Sequence, residues 1–174
     1  MDKIVTIENK KDEKFLRRKA VDFDFEKFSK KEINELIRKM RVAMRKANGI
    51  GLAANQVGLD FRVFVAEVPA SDNKMKFYAI FNPKIEKAAG EKISYEEGCL
   101  SVPKTYGNVE RLERAVLAGY DKNGKSLKIK AWGLLARVFQ HEVDHLNGML
   151  FVDKAKNIHS IEKSETLNPK QSQK

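Results

Sequence analysis

Gln140-His141-Glu142-Val143-Asp144-His145 lies inside an apolar-patterned run from Leu134 to Leu150. On an α-helix, positions i and i+4 share a face about one turn apart. His141 and His145 can therefore bind one metal ion between them, and Glu142 beside them can reach a water on that metal. Leu134, Leu135, Val138, Phe139 and Leu146 recur at three- and four-residue spacing, which predicts a packed helix. Asn147-Gly148 supplies its C-terminal stop. H-E-x-x-H has only three fixed residues, and ordinary surface helices match it by chance, so upstream residues must decide the reading.

A catalytic metal site usually takes three protein ligands and keeps a fourth position open. Cys99 is the only cysteine, so no intramolecular disulfide can form. It sits in Tyr95-Glu96-Glu97-Gly98-Cys99-Leu100-Ser101-Val102-Pro103, where Gly98 lets backbone come close to a metal. A lone cysteine is often a small buried hydrophobe, but two histidines make its thiolate the natural third ligand. Glu165 competes: it lies about as far past the second histidine as the glutamate ligand of one class of zinc proteases. It falls close to the C-terminus in a polar stretch, however, and a ligand needs rigid support.

Gly49-Ile50-Gly51-Leu52-Ala53-Ala54-Asn55-Gln56-Val57-Gly58 places three glycines among small and apolar residues, which suggests closely packed backbone. No Gly-Lys-Ser/Thr follows, so it is not a phosphate loop. Gln56 reads either as a buried amide bonded to backbone or as a donor aimed at a substrate oxygen.

Ser29-Lys30-Lys31-Glu32 matches a capping box. Ile33, Leu36, Ile37, Met40, Ala43, Met44 and Ala47 then follow helical spacing up to Asn48-Gly49. Ile4, Val5 and Ile7 suggest a short strand, and charged Lys10 to Lys19 an exposed loop. Residues 61–68 and 77–81 read as strands joined by a turn over Pro69 to Lys74. Asn82-Pro83 breaks the second, and Lys84 to Lys92 holds a weaker one. Val109 to Tyr120 and Ser126 to Lys130 flank a hairpin signal at residues 121–125. The expected fold is α+β: antiparallel strands packed around a central H-E-x-x-H helix, with an N-terminal helix. Residues 1–153 read as a single catalytic domain and 154–174 as a polar, mobile tail.

The 174 residues fit one domain, and 42% hydrophobic content is enough for one core. No apolar run approaches a membrane span and the N-terminus lacks a signal-peptide core, so a cytoplasmic protein is expected, or an organellar one whose transit peptide was removed. The net charge of +10 is concentrated outside the motifs, with +6 in residues 1–48. A basic exterior attracts polyanions such as RNA, or is simply a solvated lysine-rich surface. No basic patch interleaved with aromatics suggests a single-strand binder. Neither a membrane nor DNA is expected as a partner. An endopeptidase using the same metal is a rival reading. A purely structural metal domain would leave Glu142 and Gln56 without a task.

Taken together, Gly49-Ile50-Gly51-Leu52-Ala53-Ala54-Asn55-Gln56, Glu97-Gly98-Cys99-Leu100-Ser101 and Gln140-His141-Glu142-Val143-Asp144-His145 resemble the three motifs of the peptide deformylase family, in that family's order. The resemblance spans residues 30–153. Asn55 stands where proline or threonine is commoner, and Glu110 precedes Arg111 where many members carry proline or a basic residue. The resemblance implies removal of the formyl group from N-formyl-methionyl nascent peptides, with release of formate. It implies one divalent metal on Cys99, His141 and His145, with Fe(II) expected and zinc, nickel or cobalt able to substitute. Glu142 would be the general base, with Gln56 and the Leu100 backbone N–H meeting the oxyanion. Backbone groups of Gly51 and Gly98 would hold the peptide like an added strand, and Arg111 would lie near the substrate. Ile50, Leu134 and Val138 would wall a pocket for the methionine side chain. A transient ribosome contact would fit a substrate that emerges there.

Overall fold

The computed structural model describes residues 3–70 and 74–161. Its elements in chain order are α1 (Lys10–Leu16), α2 (Lys30–Lys46), β1 (Gly51–Ala53), β2 (Val63–Pro69), β3 (Met75–Cys99), β4 (Val102–Tyr120), β5 (Ser126–Trp132), α3 (Gly133–Leu146) and β6 (Lys156–Ser160). Short 3-10 turns occupy Phe25–Lys27, Ala54–Val57 and Phe151–Asp153. The strands pair antiparallel in the order β1-β2-β3-β4-β5, and β6 adds to β4. The class is α+β, as expected. No helix among the described residues is long and apolar enough to cross a membrane.

β2 explains how two helices use one sheet. Val63, Phe64, Val65 and Ala66 are all fully buried. Successive side chains of a strand point to opposite faces. Phe64 and Ala66 join the cluster of Phe139, Val143 and Leu146 from α3, while Val63 and Val65 join Ile33, Met40 and Met44 from α2. A strand covered on both faces reads as a continuous apolar run rather than an alternation. Phe139 fixes the α3 side, its ring centroid 5.7 Å from that of Phe64 and 5.4 Å from that of Tyr78.

The helix ends follow their local chemistry. Ser29 and Glu32 satisfy each other's backbone N–H groups at the start of α2. Asn48 takes a left-handed φ of 57° at its end, and Gly49 N–H returns to the Met44 carbonyl. α3 stops at Leu146, where Gly148 adopts φ 77°. A Cβ on Gly148 would also run into the Arg17 carbonyl. Gly148→Ala is therefore expected to destabilise the protein by about 1–3 kcal/mol, since it combines backbone strain with a clash against main chain. An unchanged midpoint in urea unfolding would contradict this.

Four local expectations change. Lys10–Leu16 is a helix rather than a loop: the Asn9 side chain accepts from Lys11 and Asp12 N–H groups, and only Leu16 of α1 is fully buried. So short a helix offers too few apolar positions for periodicity to register. Ile4, Val5 and Ile7 form no strand. Asn82-Pro83 does not end the second strand. Asn82 takes φ 47° and the register shifts between Phe81 and Lys84, so β3 continues through a bulge and absorbs Lys84 to Lys92. In the stretch read as a tail from residue 154, Lys156–Ser160 pairs with β4. Residues 162–174, Glu165 among them, and 71–73 of the turn after β2 lie outside the described residues.

Candidate active site

β3 ends at Cys99, where a register shift between Gly98 and Cys99 re-aims the chain before β4 begins at Val102. Bulges of this kind direct one side chain out of the strand's regular alternation. α3 lies against that corner and presents His141 and His145 one turn apart, with ring centroids 4.9 Å from each other. Cys99 Sγ lies 3.1 Å from His145 Nε2. One ligand atom from each of Cys99, His141 and His145 falls within 4.8 Å of the others. In a tetrahedral site with ordinary metal–sulfur and metal–nitrogen bonds, donor atoms sit roughly 3.3–3.6 Å apart. The three groups fit one divalent ion with small adjustments.

The surroundings hold those ligands in place. His141 Nδ1 is 3.0 Å from Glu97 Oε2, which leaves Nε2 for a metal. Glu97 is also gripped by Arg111 at 2.6 and 2.9 Å and by Arg137 at 2.5 Å. Arg111 continues to Asp144 at 2.8 Å, and Lys154 donates to the same carboxylate. The carbonyl at His145, near the end of α3, accepts from Asn55 Nδ2 at 2.7 Å, and the next one, at Leu146, accepts from buried Arg62 at 2.9 Å. Cationic and amide donors at a helix C-terminus satisfy carbonyls that lack helical partners.

The ionisable groups of the pocket set one another's charge. Burial pushes the Cys99 thiol up, but the His145 charge and hydrogen bonds with both histidines bring it down to about 5. Burial works against charge on His141, yet its bonds to Cys99 and Glu97 raise it to about 10. Burial pushes Glu97 up, and His141 and Arg111 nevertheless hold it well below the usual carboxylate range. Glu142 is raised to about 7, chiefly by burial, with the two histidines opposing. The thiolate and the His141 imidazolium balance each other, so a divalent ion binds here in exchange for the His141 proton.

Glu142 is 3% exposed, and its Oε2 has no hydrogen-bond partner among the described residues. A Cβ on Gly51 of β1 would collide with the Glu142 carboxylate. The colliding atoms are the end of a flexible side chain, so the fold can absorb an alanine by moving that carboxylate. Gly51→Ala is expected to keep its unfolding midpoint within a few degrees while turnover falls at least about tenfold, as misplacement of a reacting group requires. Parental turnover in a folded Gly51→Ala protein would show that Glu142 does not act from this position.

Gln56 sits in the 3-10 turn after β1. Its Oε1 accepts from Ala53 N–H at 2.9 Å, and its Nε2 faces Cys99 Sγ at 3.4 Å and Ser101 Oγ at 3.2 Å. The reading as a buried amide bonded to backbone therefore holds at Oε1, while Nε2 is directed at Ser101 and the Cys99 sulfur. A cavity of about 610 Å³ opens over these groups, and Ile50, Leu100, Leu134 and Val138 line it together with Gly51 and Gly98. Gly98 has a further steric reason, since its Cβ would meet the Tyr106 ring.

Arg111 does not belong to that lining. It is 5% exposed and its guanidinium is taken up by Glu97 and Asp144, so the expected substrate contact is replaced by a supporting role behind His141. Reading the sequence also passed over Glu97, Asp144 and Arg137 as supports. Glu97 and Asp144 lie within the motifs themselves, and buried carboxylates there require cationic partners. Arg111 and Arg137 were the available signal.

The sequence model described as polypeptide deformylase matches residues 1–160. The peptide deformylase of Thermodesulfovibrio yellowstonii is 45% identical over 123 residues, covering 71% of this chain and 74% of that one. That of Dictyoglomus thermophilum is 47% identical over 124 residues, covering 71% and 77%. Among solved structures, the actinonin complex of a Synechococcus elongatus peptide deformylase superposes with a TM-score of 0.78 at 39% identity, covering 88% of this chain and 80% of that one. The Met-Ala-Ser-bound enzyme of Acinetobacter baumannii gives 0.75 at 34% identity, covering 80% and 91%. With the family's sequence pattern, its fold and a fitting ligand set in one molecule, this chain belongs to the peptide deformylase family.

Proposed function

We propose a division of labour around Cys99, His141 and His145 for the reaction of the family. That reaction is hydrolysis of the formyl group from the N-terminal formyl-methionine of newly made polypeptides, with release of formate. The observation that carries the proposal is the meeting of one sulfur and two imidazoles beside a buried, unpartnered Glu142 oxygen. Cys99, His141 and His145 hold one divalent metal. When bound, the ion supplies Lewis acidity, which makes water nucleophilic near neutral pH and stabilises negative charge on oxygen.

Glu142 takes the proton of the attacking water at its free carboxylate oxygen and returns it to the methionine nitrogen as the formyl C–N bond breaks. Gln56 Nε2 and the Leu100 backbone N–H meet the charge that develops on the formyl oxygen. Glu97 keeps His141 oriented through Nδ1. The peptide lies along Gly51 and Gly98 as an added strand, and the methionine side chain rests against Ile50, Leu134 and Val138. The Met-Ala-Ser bound to the Acinetobacter baumannii relative supports a peptide that begins with methionine in this cleft.

Fe(II) is the ion we assign, from the family; one thiolate with two imidazoles also suits zinc, nickel or cobalt. Formate release from a formyl-Met peptide, using anaerobically prepared protein with its metal analysed, tests the whole reading. Cleavage of an unformylated, N-blocked peptide would instead favour an endopeptidase. The basic N-terminal third fits a transient ribosome contact. Co-sedimentation with ribosomes that fades with salt would support it, and none at low salt would reject it.

A further inference from the structure

Residues 4–7 contribute no side chain to the cavity, yet their backbone holds two residues that contact the Cys99 sulfur. Val5 N–H donates to the Gln56 carbonyl at 2.8 Å, and Ile7 N–H donates to the Ser101 carbonyl at 3.0 Å. The two gripped residues are the ones whose N–H groups face the Cys99 sulfur: Gln56 Nε2 at 3.4 Å and the Ser101 backbone N at 3.4 Å. They are also joined to each other, Gln56 Nε2 to Ser101 Oγ at 3.2 Å. The turn that carries Gln56 is a single 3-10 turn, and the N–H groups that follow it return to Asn55 and Ala54 rather than to Gln56. The Val5 bond is thus what the turn offers to fix the direction of the Gln56 carbonyl. Apolar side chains anchor the segment on both sides. Ile4 packs against the cluster of Met40, Met44 and Leu52, and Ile7 against that of Val102, Leu150 and Phe151.

We propose that Ile4–Ile7 is a strap that positions Gln56 and Ser101 against the Cys99 sulfur, which makes the N-terminal segment a positioning part of the active site. The proposal rests on the reading of Cys99 as a metal ligand and of Gln56 as an oxyanion donor. Donors around a ligand sulfur tune the metal, and removing such outer supports typically costs ten- to hundredfold in affinity or activity. A donor that acts on charge developing in the transition state lowers kcat when displaced and leaves KM nearly as it was.

Val5→Pro in the full chain removes one N–H donor, and Val5→Ala returns it. With both proteins loaded with cobalt(II), Val5→Pro is expected to keep one cobalt per chain and a cooperative unfolding transition. Its sulfur-to-cobalt charge-transfer band should shift, and kcat should fall about tenfold with KM within about twofold of the parent, within the range for lost outer supports. Val5→Ala should restore both the band and kcat. A folded Val5→Pro protein with the parental band and kcat overturns the strap, as does a loss that Val5→Ala shares. Should Val5→Pro not fold, amide hydrogen exchange in the parent decides: slow exchange at Val5 and Ile7 is expected, and exchange at the rate of a free loop overturns the strap. A cobalt-loaded parent without any sulfur charge-transfer band would instead overturn the ligand reading on which the strap rests.

Discussion

Glu142→Gln is expected to lower kcat for formate release by about 10²–10⁴-fold, the range for a lost general base. Metal content should stay at the parental level. The substitution keeps the shape of the side chain and removes its ability to accept a proton. Glu142 lies between the two histidines in sequence but turns its carboxylate toward Gly51 at the cavity wall, and its buried Oε2 meets no donor among the described residues. A buried, unpaired carboxylate contributes little to stability, because desolvation works against its charge. The unfolding midpoint should therefore hold or rise, which separates a catalytic loss from a folding one. A Glu142→Gln protein that releases formate at the parental rate would remove the base assignment. One that loses its metal would recast Glu142 as a ligand.

What could be read in advance follows from how local each signal is. The i, i+4 histidines and the Ser29–Glu32 box are short-range devices, and both are found as read, on α3 and α2. The turn at Asp121 is equally local: its side chain accepts from Asn123 and Lys125 N–H groups, and Gly124 takes φ 74°. Cys99 lies 42 residues before His141 in number, yet chemistry brought it forward, because two imidazoles call for a third donor. Arg111 was misread for the same reason in reverse. A lone arginine on a strand says nothing about direction, and only the meeting of Glu97 from β3 with Asp144 from α3 turns it inward. The continuation of β3 through Asn82-Pro83 was hidden because its partner β4 lies far along the chain, and long-range pairing overrides local breakers. The grip of residues 5 and 7 on Gln56 and Ser101 is made by backbone alone, so no side-chain pattern records it.

Cys99→Ser carries the other large expectation: loss of metal affinity by at least about hundredfold, more than the ten- to hundredfold that lost outer supports cost, and with it most activity. Serine preserves the size of the side chain but not its charge, because the hydroxyl stays protonated where the thiol ionises readily. The pocket makes that difference large. The Cys99 sulfur is brought down to about 5 against the opposing effect of burial, so near neutral pH it is a thiolate 3.1 Å from His145 Nε2. Removing that charge leaves two imidazoles, and Glu97 is already committed to His141, Arg111 and Arg137 and cannot take its place. A soft thiolate also binds first-row ions of this kind more tightly than a neutral oxygen does. The measurement is metal per chain after dialysis against a chelator, with the parent alongside, followed by formate release at saturating added metal. Partial recovery of turnover with excess metal is expected, since His141, His145 and Glu142 keep their supports. Parental metal retention in Cys99→Ser would mean that another group completes the ligand set, and the site drawn around residue 99 would have to be redrawn around that group.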